Sequence, residues 1–190
     1  MEIRNFKTPV AFETWLKKNN ALSKGIWVRF LKKAHTESSG EKSINYAQAL
    51  DVALCYGWID SVPQKLDDAS YLHKFSPRGK KSIWSKRNRE HVARLIREKK
   101  MTLAGMAHVT AAKKDGRWER AYDSPANMKI PGDFLAQVRK DKKTLAFYST
   151  LNKSNLYAIG WRLQTAKKLE TRARRTEAIL VMLRQGKKFH

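Results

Sequence analysis

Cys55 is the one thiol of the 190-residue chain and so the first nucleophile to weigh. It lies two residues before Gly57, the glycine expected to close its helix, where the negative end of the helix dipole favours the thiol over the thiolate. Leu54 and Tyr56 flank it and no histidine is near in sequence, so it reads as a buried structural cysteine. His35, His73, His91, His108 and His190 form no i, i+4 pair and have no carboxylate at ligand spacing, so neither a metal site nor a cofactor is expected. No phosphate-cradling glycine loop is present, and no serine sits in a glycine elbow. What remains is Asp60, Asp67 and Asp68 after Gly57, where loop carboxylates could act as acid or base beside Arg78, or could cap turns and pair with arginines.

Arginine and tryptophan offer a second kind of chemistry. Asp115-Gly116-Arg117-Trp118 reads as a turn that returns Trp118 to the core, or as a guanidinium and an indole presented together to an anionic or aromatic ligand. Between residues 71 and 87, Tyr71, Phe75 and Trp84 interleave with Arg78, Lys86 and Arg87. Phosphates would meet the cations and bases could stack on exposed rings, although Trp84 also falls on an apolar arc and fits a core position. Asn88 lies on that same arc, where a polar amide needs partners of its own. Trp58, Asp60, Arg78, Trp84, Asn88, Arg117 and Trp118 are therefore the candidate ligand-binding set, with no catalytic residue assigned. Lys86, Arg87, Lys168, Arg172 and Arg175 are candidate anion contacts, or a solvated rim.

Several elements must position these groups. Thr8-Pro9 opens a helix carrying Phe12, Trp15 and Leu16 on one stripe. GIWVRFLKK at 25–33 reads as a strand followed by a polar loop. Ser43 or Asn45 caps a helix with Tyr46, Leu50, Ala53 and Leu54 on one face, and Gly57 stops it. Tyr71, His73 and Phe75 alternate along a second strand that ends at Pro77. From Ser82 the spacing turns helical, with Trp84, Asn88, His91, Val92 and Leu95 within one arc. Helices follow at 103–114, 133–140, 144–150, after Asn152 or Ser154, and at 170–185, the last with Lys168, Arg172 and Arg175 along its edge. The expected fold is α+β, predominantly helical, with a small antiparallel sheet in the N-terminal third. It forms a single domain over 1–190, with a possible sub-boundary near residue 73.

Charge says most about partners. Forty Lys and Arg oppose 17 Asp and Glu, a net +23, of which residues 1–72 hold +2 and residues 73–190 hold +21. A compact state with that excess repels itself unless counterions or an anionic partner offset it. One cysteine excludes a disulfide-stapled scaffold, no apolar run is long enough to span a membrane, and no secretory signal opens the chain, so a cytoplasmic protein is expected.

Several blocks together resemble the YdeI/OmpD-associated, or bacteriocin-protection, family over most of the chain. They are WL at 15–16, GIWV at 25–28, ALCYGWIDS at 53–61, FSPR at 75–78, SIWSKRN at 82–88, AAKKDGRWERAY at 111–122, PGDF at 131–134 and AKKLETRARR at 166–175. The resemblance implies a compact, largely helical bacterial protein linked to protection against bacteriocins or other antimicrobial peptides, and it brings no enzyme mechanism. Because many such peptides are cationic, direct capture by a +23 protein is electrostatically disfavoured. The expectation is a non-enzymatic basic binding protein acting through an anionic partner such as nucleic acid. The alternative is an enzyme on a phosphorylated or nucleotide substrate, with Asp60 or Asp67 as acid or base and Arg78 and Arg117 holding the anion. A third reading is an interaction protein whose charge only aids solubility.

Overall fold

The structure is a computed structural model that describes all 190 residues. Half of the chain is helical, in nine helices, and five short strands form one sheet. Contacts divide the chain into two compact units, Met1–Trp84 with Asn88–Arg120, and Ser85–Arg87 with Ala121–His190. Residue 73 falls within a strand of the first unit, and the units part instead at 84–88 and 120–121.

In the first unit, β1 (Ile3–Asn5) leads into α1 (Pro9–Asn19), which returns the chain to β2 (Ile26–Leu31). Thr8 caps α1 by accepting from Ala11 N, with Pro9 at the first helical position. α2 (Lys33–Ser39), α3 (Tyr46–Cys55), β3 (Trp58–Asp60), β4 (Gln64–Lys65) and β5 (Ser70–Pro77) follow. The sheet order is β1-β2-β5-β3, with β4 also on β5. β2 and β5 pair antiparallel in the register Ile26 to Phe75, Val28 to His73 and Phe30 to Tyr71. The sheet is mixed rather than antiparallel throughout, because β1 pairs parallel to β2 through the α1 crossover. Three residues with a single inward position leave too little alternation for β1 to be read from sequence. The helix α2 lies where a polar loop is expected; it buries no side chain and ends on Gly40 in the left-handed region. Phe12 and Leu16 of α1 and Leu50, Ala53 and Leu54 of α3 bury with Phe30, Trp58 and Phe75 of the sheet.

Asn45 and Gln48 form a reciprocal capping box at the start of α3. α4 (Lys86–Arg97) and α5 (Leu103–Lys114) complete this part of the chain. Lys99, just beyond α4, is the one non-glycine residue with positive φ, at 56°, and Lys100 N bonds back to Leu95 O. α5 begins against the end of α3: the Thr102 backbone N–H and hydroxyl both donate to the Cys55 carbonyl, at 3.1 and 2.6 Å.

The second unit packs α6 (Gly132–Val138), α7 (Lys142–Ser149), α8 (Lys153–Gln164) and α9 (Leu169–Arg184) around Phe134, Val138, Ile159, Leu163, Ile179, Leu180 and Leu183. The buried Asn155 side chain accepts from Phe189 N and His190 N, tying the last residues to α8. No helix is long and apolar enough to cross a membrane.

A methyl group on Gly105 would stand 2.2 Å from the Cys55 carbonyl oxygen and 2.8 Å from its carbon, so α3 and α5 meet there backbone to backbone. Gly105→Ala should cost roughly 1–3 kcal/mol through forced separation of the two helices, despite the better helix propensity of alanine. Urea denaturation of the two proteins checks this, and an unchanged midpoint contradicts the close crossing.

Candidate functional site

The loop from β5 to α4 is held by two buried arginines. Arg78 N donates to Gly57 O at 2.9 Å, so the residue after Pro77 is fixed against the turn that ends α3. Its guanidinium lies 3.7 Å from the centroid of the Trp84 ring and donates to Ile83 O at 3.0 Å. Arg117, placed by the turn after α5, donates to Ser82 O at 2.9 Å, and its Nε lies 2.7–2.8 Å from both oxygens of Asp115. Trp84 and Trp118 meet edge to face with centroids 5.0 Å apart, and Arg89 covers Trp118 at 5.2 Å. Arg78 is 4% exposed and Arg117 6%. At that burial a guanidinium needs partners, and ring faces, backbone carbonyls and a carboxylate supply several of them here, although Arg78 Nε and Trp84 Nε1 make no hydrogen bond. Asn88 is buried as well, on the α4 face that carries Val92 and Leu95.

Of the seven candidate ligand-binding residues, Arg78, Trp84, Arg117 and Trp118 thus form one cluster. Trp58 and Asp60 do not join it. Trp58 is a core residue whose indole N–H reaches Asn20 O at 3.3 Å and whose ring meets Trp15 edge to face. Asp60 accepts from the Tyr46 hydroxyl at 2.7 Å. Asp67 accepts from Ala69 N and the Ser70 hydroxyl in the β4–β5 turn, and the Ser70 bond holds its carboxyl below the usual range. The acid or base that the enzyme alternative needs beside Arg78 and Arg117 is therefore engaged elsewhere in both cases.

The anion-contact candidates divide in the same way. In the second unit Arg172 donates to Leu163 O and, through its other terminal nitrogen, to both oxygens of Asp133 at 2.7–2.8 Å. Arg175 donates to Arg162 O at 2.7 Å and to the Thr165 hydroxyl. The two arginines of α9 therefore satisfy the last carbonyls of α8, which α8 itself cannot. Lys86 pairs with Asp123 at 2.6 Å, and that bond, with one from Gln164, holds the Asp123 carboxyl below its ordinary value. Arg87 and Lys168 are exposed. Over the whole chain, nine of 15 arginines are less than fully exposed, against two of 25 lysines. Arginine here is chiefly architecture, and lysine is surface.

Two features escape the sequence. His108 of α5 packs where a Gly57 side chain would stand, with its Cδ2 2.5 Å from the position of a Cβ. A cavity of about 460 Å³ opens in the first unit beside Cys55, lined among others by Glu13, Asp51 and Lys99. Asp51 is held there by His91 at 2.8 Å and by Arg94. The i, i+4 spacing of Asp51 and Cys55 on α3, with His91 and Arg94 three apart on α4, was the available signal. Burial, then Asp51 and Glu13, push the Cys55 thiol up to about 11, which makes it a poor nucleophile.

Two measurements test this cluster. Arg78→Lys replaces a stacked fork by a single ammonium that cannot cover the indole and reach Ile83 O together, and should cost about 1–3 kcal/mol in chemical denaturation. Burial, with Arg78 and Arg117, holds the His108 pKa below its ordinary value. The unfolded chain then takes up a proton that the folded one refuses, so stability is full above the ordinary histidine value of about 6.5 and falls as the medium becomes more acidic. His108→Gln should flatten that fall in urea denaturation repeated across mildly acidic pH.

Two family models match the chain. Residues 4–108 match the one described as Domain of unknown function (DUF8412), and residues 127–186 match Bacteriocin-protection, YdeI or OmpD-Associated. The blocks from WL at 15–16 to SIWSKRN at 82–88 fall under the first model, PGDF and AKKLETRARR under the second, and DGRW lies between them. The bacteriocin-protection match is thus narrower than a resemblance over most of the chain. No curated protein and no solved structure matches it. With over half of its residues under the first model, the chain belongs to the DUF8412 domain family, and most of its second unit is similar to the bacteriocin-protection, YdeI or OmpD-associated model.

Proposed function

We propose that this bacteriocin-protection-type protein is a non-enzymatic cytoplasmic binder of an anionic polymer, nucleic acid foremost, which it meets through exposed lysines. One observation carries the reading. The second unit holds 17 Lys and Arg against five Asp and Glu. Of those five, Asp123, Asp133 and Glu177 are paired with Lys86, Arg172 and Arg184, and Asp141 caps α7. Twelve exposed cations of this unit pair with no carboxylate, among them Arg139, Lys140, Lys142 and Lys143 around the α6–α7 turn and Lys167 and Lys168 before α9. When such lysines neutralise phosphates, the cations condensed on the nucleic acid are released into solution, which makes the binding salt-dependent.

The proposed contact is with the backbone of the polymer rather than with its bases. Trp84 and Trp118 are 2% and 8% exposed and already covered by their own arginines, so they are not platforms for bases. Contact through the lysines is backbone contact, without sequence readout. Cationic bacteriocins are repelled by the same surface, so protection is indirect, through the anionic partner.

Fluorescence anisotropy of a labelled single-stranded oligonucleotide, titrated over a range of salt, tests the proposal. The logarithm of the association constant should fall linearly with the logarithm of salt, and the triple variant Lys140→Glu, Lys142→Glu, Lys143→Glu should lower the slope by about 0.7 for each phosphate of the single strand no longer neutralised. Glutamates near the α7 N-terminus suit its dipole, so the variant keeps its fold. No binding at low salt would overturn the proposal, and identical retention on DNA, RNA and heparin would reduce the surface to nonspecific charge.

A further inference from the structure

The cavity beside Cys55 has a polarity of its own. At about 460 Å³ it lies within the range of small-molecule sites. Pro9, Val52, Cys55 and Leu95 give it an apolar wall. Its carboxylates are already used: Asp51 by His91 and Arg94, and Glu13 by the Tyr56 hydroxyl at 3.2 Å and Lys17 at 3.4 Å. Its donors are not all used. Gln48 commits its side-chain oxygen to Asn45 N, which leaves the amide hydrogens to give, and Lys99 has no carboxylate partner, whereas Lys100 is paired with Glu98.

Lys99 is also the residue the backbone least favours. At φ 56° it occupies the position after a helix where glycine is the ordinary choice, and any side chain there costs stability. A lysine held in that conformation at the mouth of a cavity, with its ammonium uncommitted, is a strain kept for a reason other than the fold. Glu13 and Asp51 in the same wall limit what it can receive, since a second negative charge on the ligand would face two carboxylates.

From this we infer that the cavity binds a small amphipathic monocarboxylate, its head on Lys99 and Gln48 and its hydrocarbon body against Val52, Cys55 and Leu95. A monoanion fits this wall, a phosphate dianion does not, and a neutral molecule forgoes the lysine.

Octanoate is the probe, with octanol and octyl phosphate as isosteres, titrated into the full chain by calorimetry. Octanoate should bind saturably, and both isosteres should bind at least about tenfold more weakly. Lys99→Gly should raise the thermal midpoint and yet lose about tenfold in octanoate affinity, whereas Lys99→Arg should retain it; gain of stability with loss of binding is not what a merely structural lysine gives. Octanoate should also slow alkylation of Cys55, the chain's one cysteine, by N-ethylmaleimide at alkaline pH. Equal affinity in the wild type and Lys99→Gly, octyl phosphate binding as tightly as octanoate, or an unchanged alkylation rate at saturating octanoate would each overturn the assignment. Oligonucleotide binding is read separately, so this site and the lysine surface fail independently.

Discussion

A guanidinium can be desolvated by a ring face and a few carbonyls, whereas an ammonium on a flexible stem remains better served by water. Much of this structure follows from that difference. Arg78 and Arg117 clamp neighbouring carbonyls, Ile83 O and Ser82 O, from two directions. Together with Trp84, which Arg78 covers, and Trp118, which meets Trp84 edge to face, they turn the polar β5–α4 loop into a packed part of the first unit. Arg172 and Arg175 repeat the device in the second unit on the end of α8. The excess of lysine, given no such use, is left on the surface.

This sorting changes how the net charge is to be understood. Along the chain, nearly all of the excess lies after residue 73, which directs attention to the later helices. In space, the first unit holds 23 cations against 12 acids and the second 17 against five, so each carries about half of it. The ratio, more than the total, distinguishes them. The first unit has acids enough for networks such as Asp51 with His91 and Arg94, while the second commits nearly all of its acids to helix ends and arginines. The unpaired cations are thus concentrated among the lysines of the second unit, which is where the proposed anionic partner would dock, whereas the arginines that look most suggestive in sequence are used within the fold.

How far the sequence could be read depended on whether a feature is local. Thr8-Pro9 and the glycine at 57 are settled by bonds within a few residues and lie where their spacing predicts, and of Ser43 and Asn45 it is Asn45 that caps α3, in a box with Gln48 that the sequence reading does not include. The parallel pairing of β1 depends on a partner more than twenty residues away and left no trace in a three-residue strand. Residue type names Arg78, Trp84, Arg117 and Trp118 together, and in the fold Arg78 covers the Trp84 ring, Trp84 meets Trp118, and Arg117 bonds the loop beside them. It could not say that the group faces inward, nor that Trp58 and Asp60, two residues apart on β3, answer to Asn20 and Tyr46 instead. The cavity was least legible of all, since α1, α3 and the end of α4 each contribute residues that are unremarkable alone.

Lys99 and Gly57 show the same conformational requirement met in opposite ways. Both follow a helix and both have positive φ. At Gly57 a side chain would be strained by the backbone and would have to displace His108 beside the Ala104 carbonyl, so the backbone demand and the packing demand coincide. At Lys99 no packing demand excludes glycine, and the strained residue is an exposed one beside a cavity. Where packing and conformation agree, the residue explains itself within the fold. Where conformation argues for glycine and the chain keeps a cation, the explanation lies with what the cation meets, and that separates this position from the other lysines of an already basic surface.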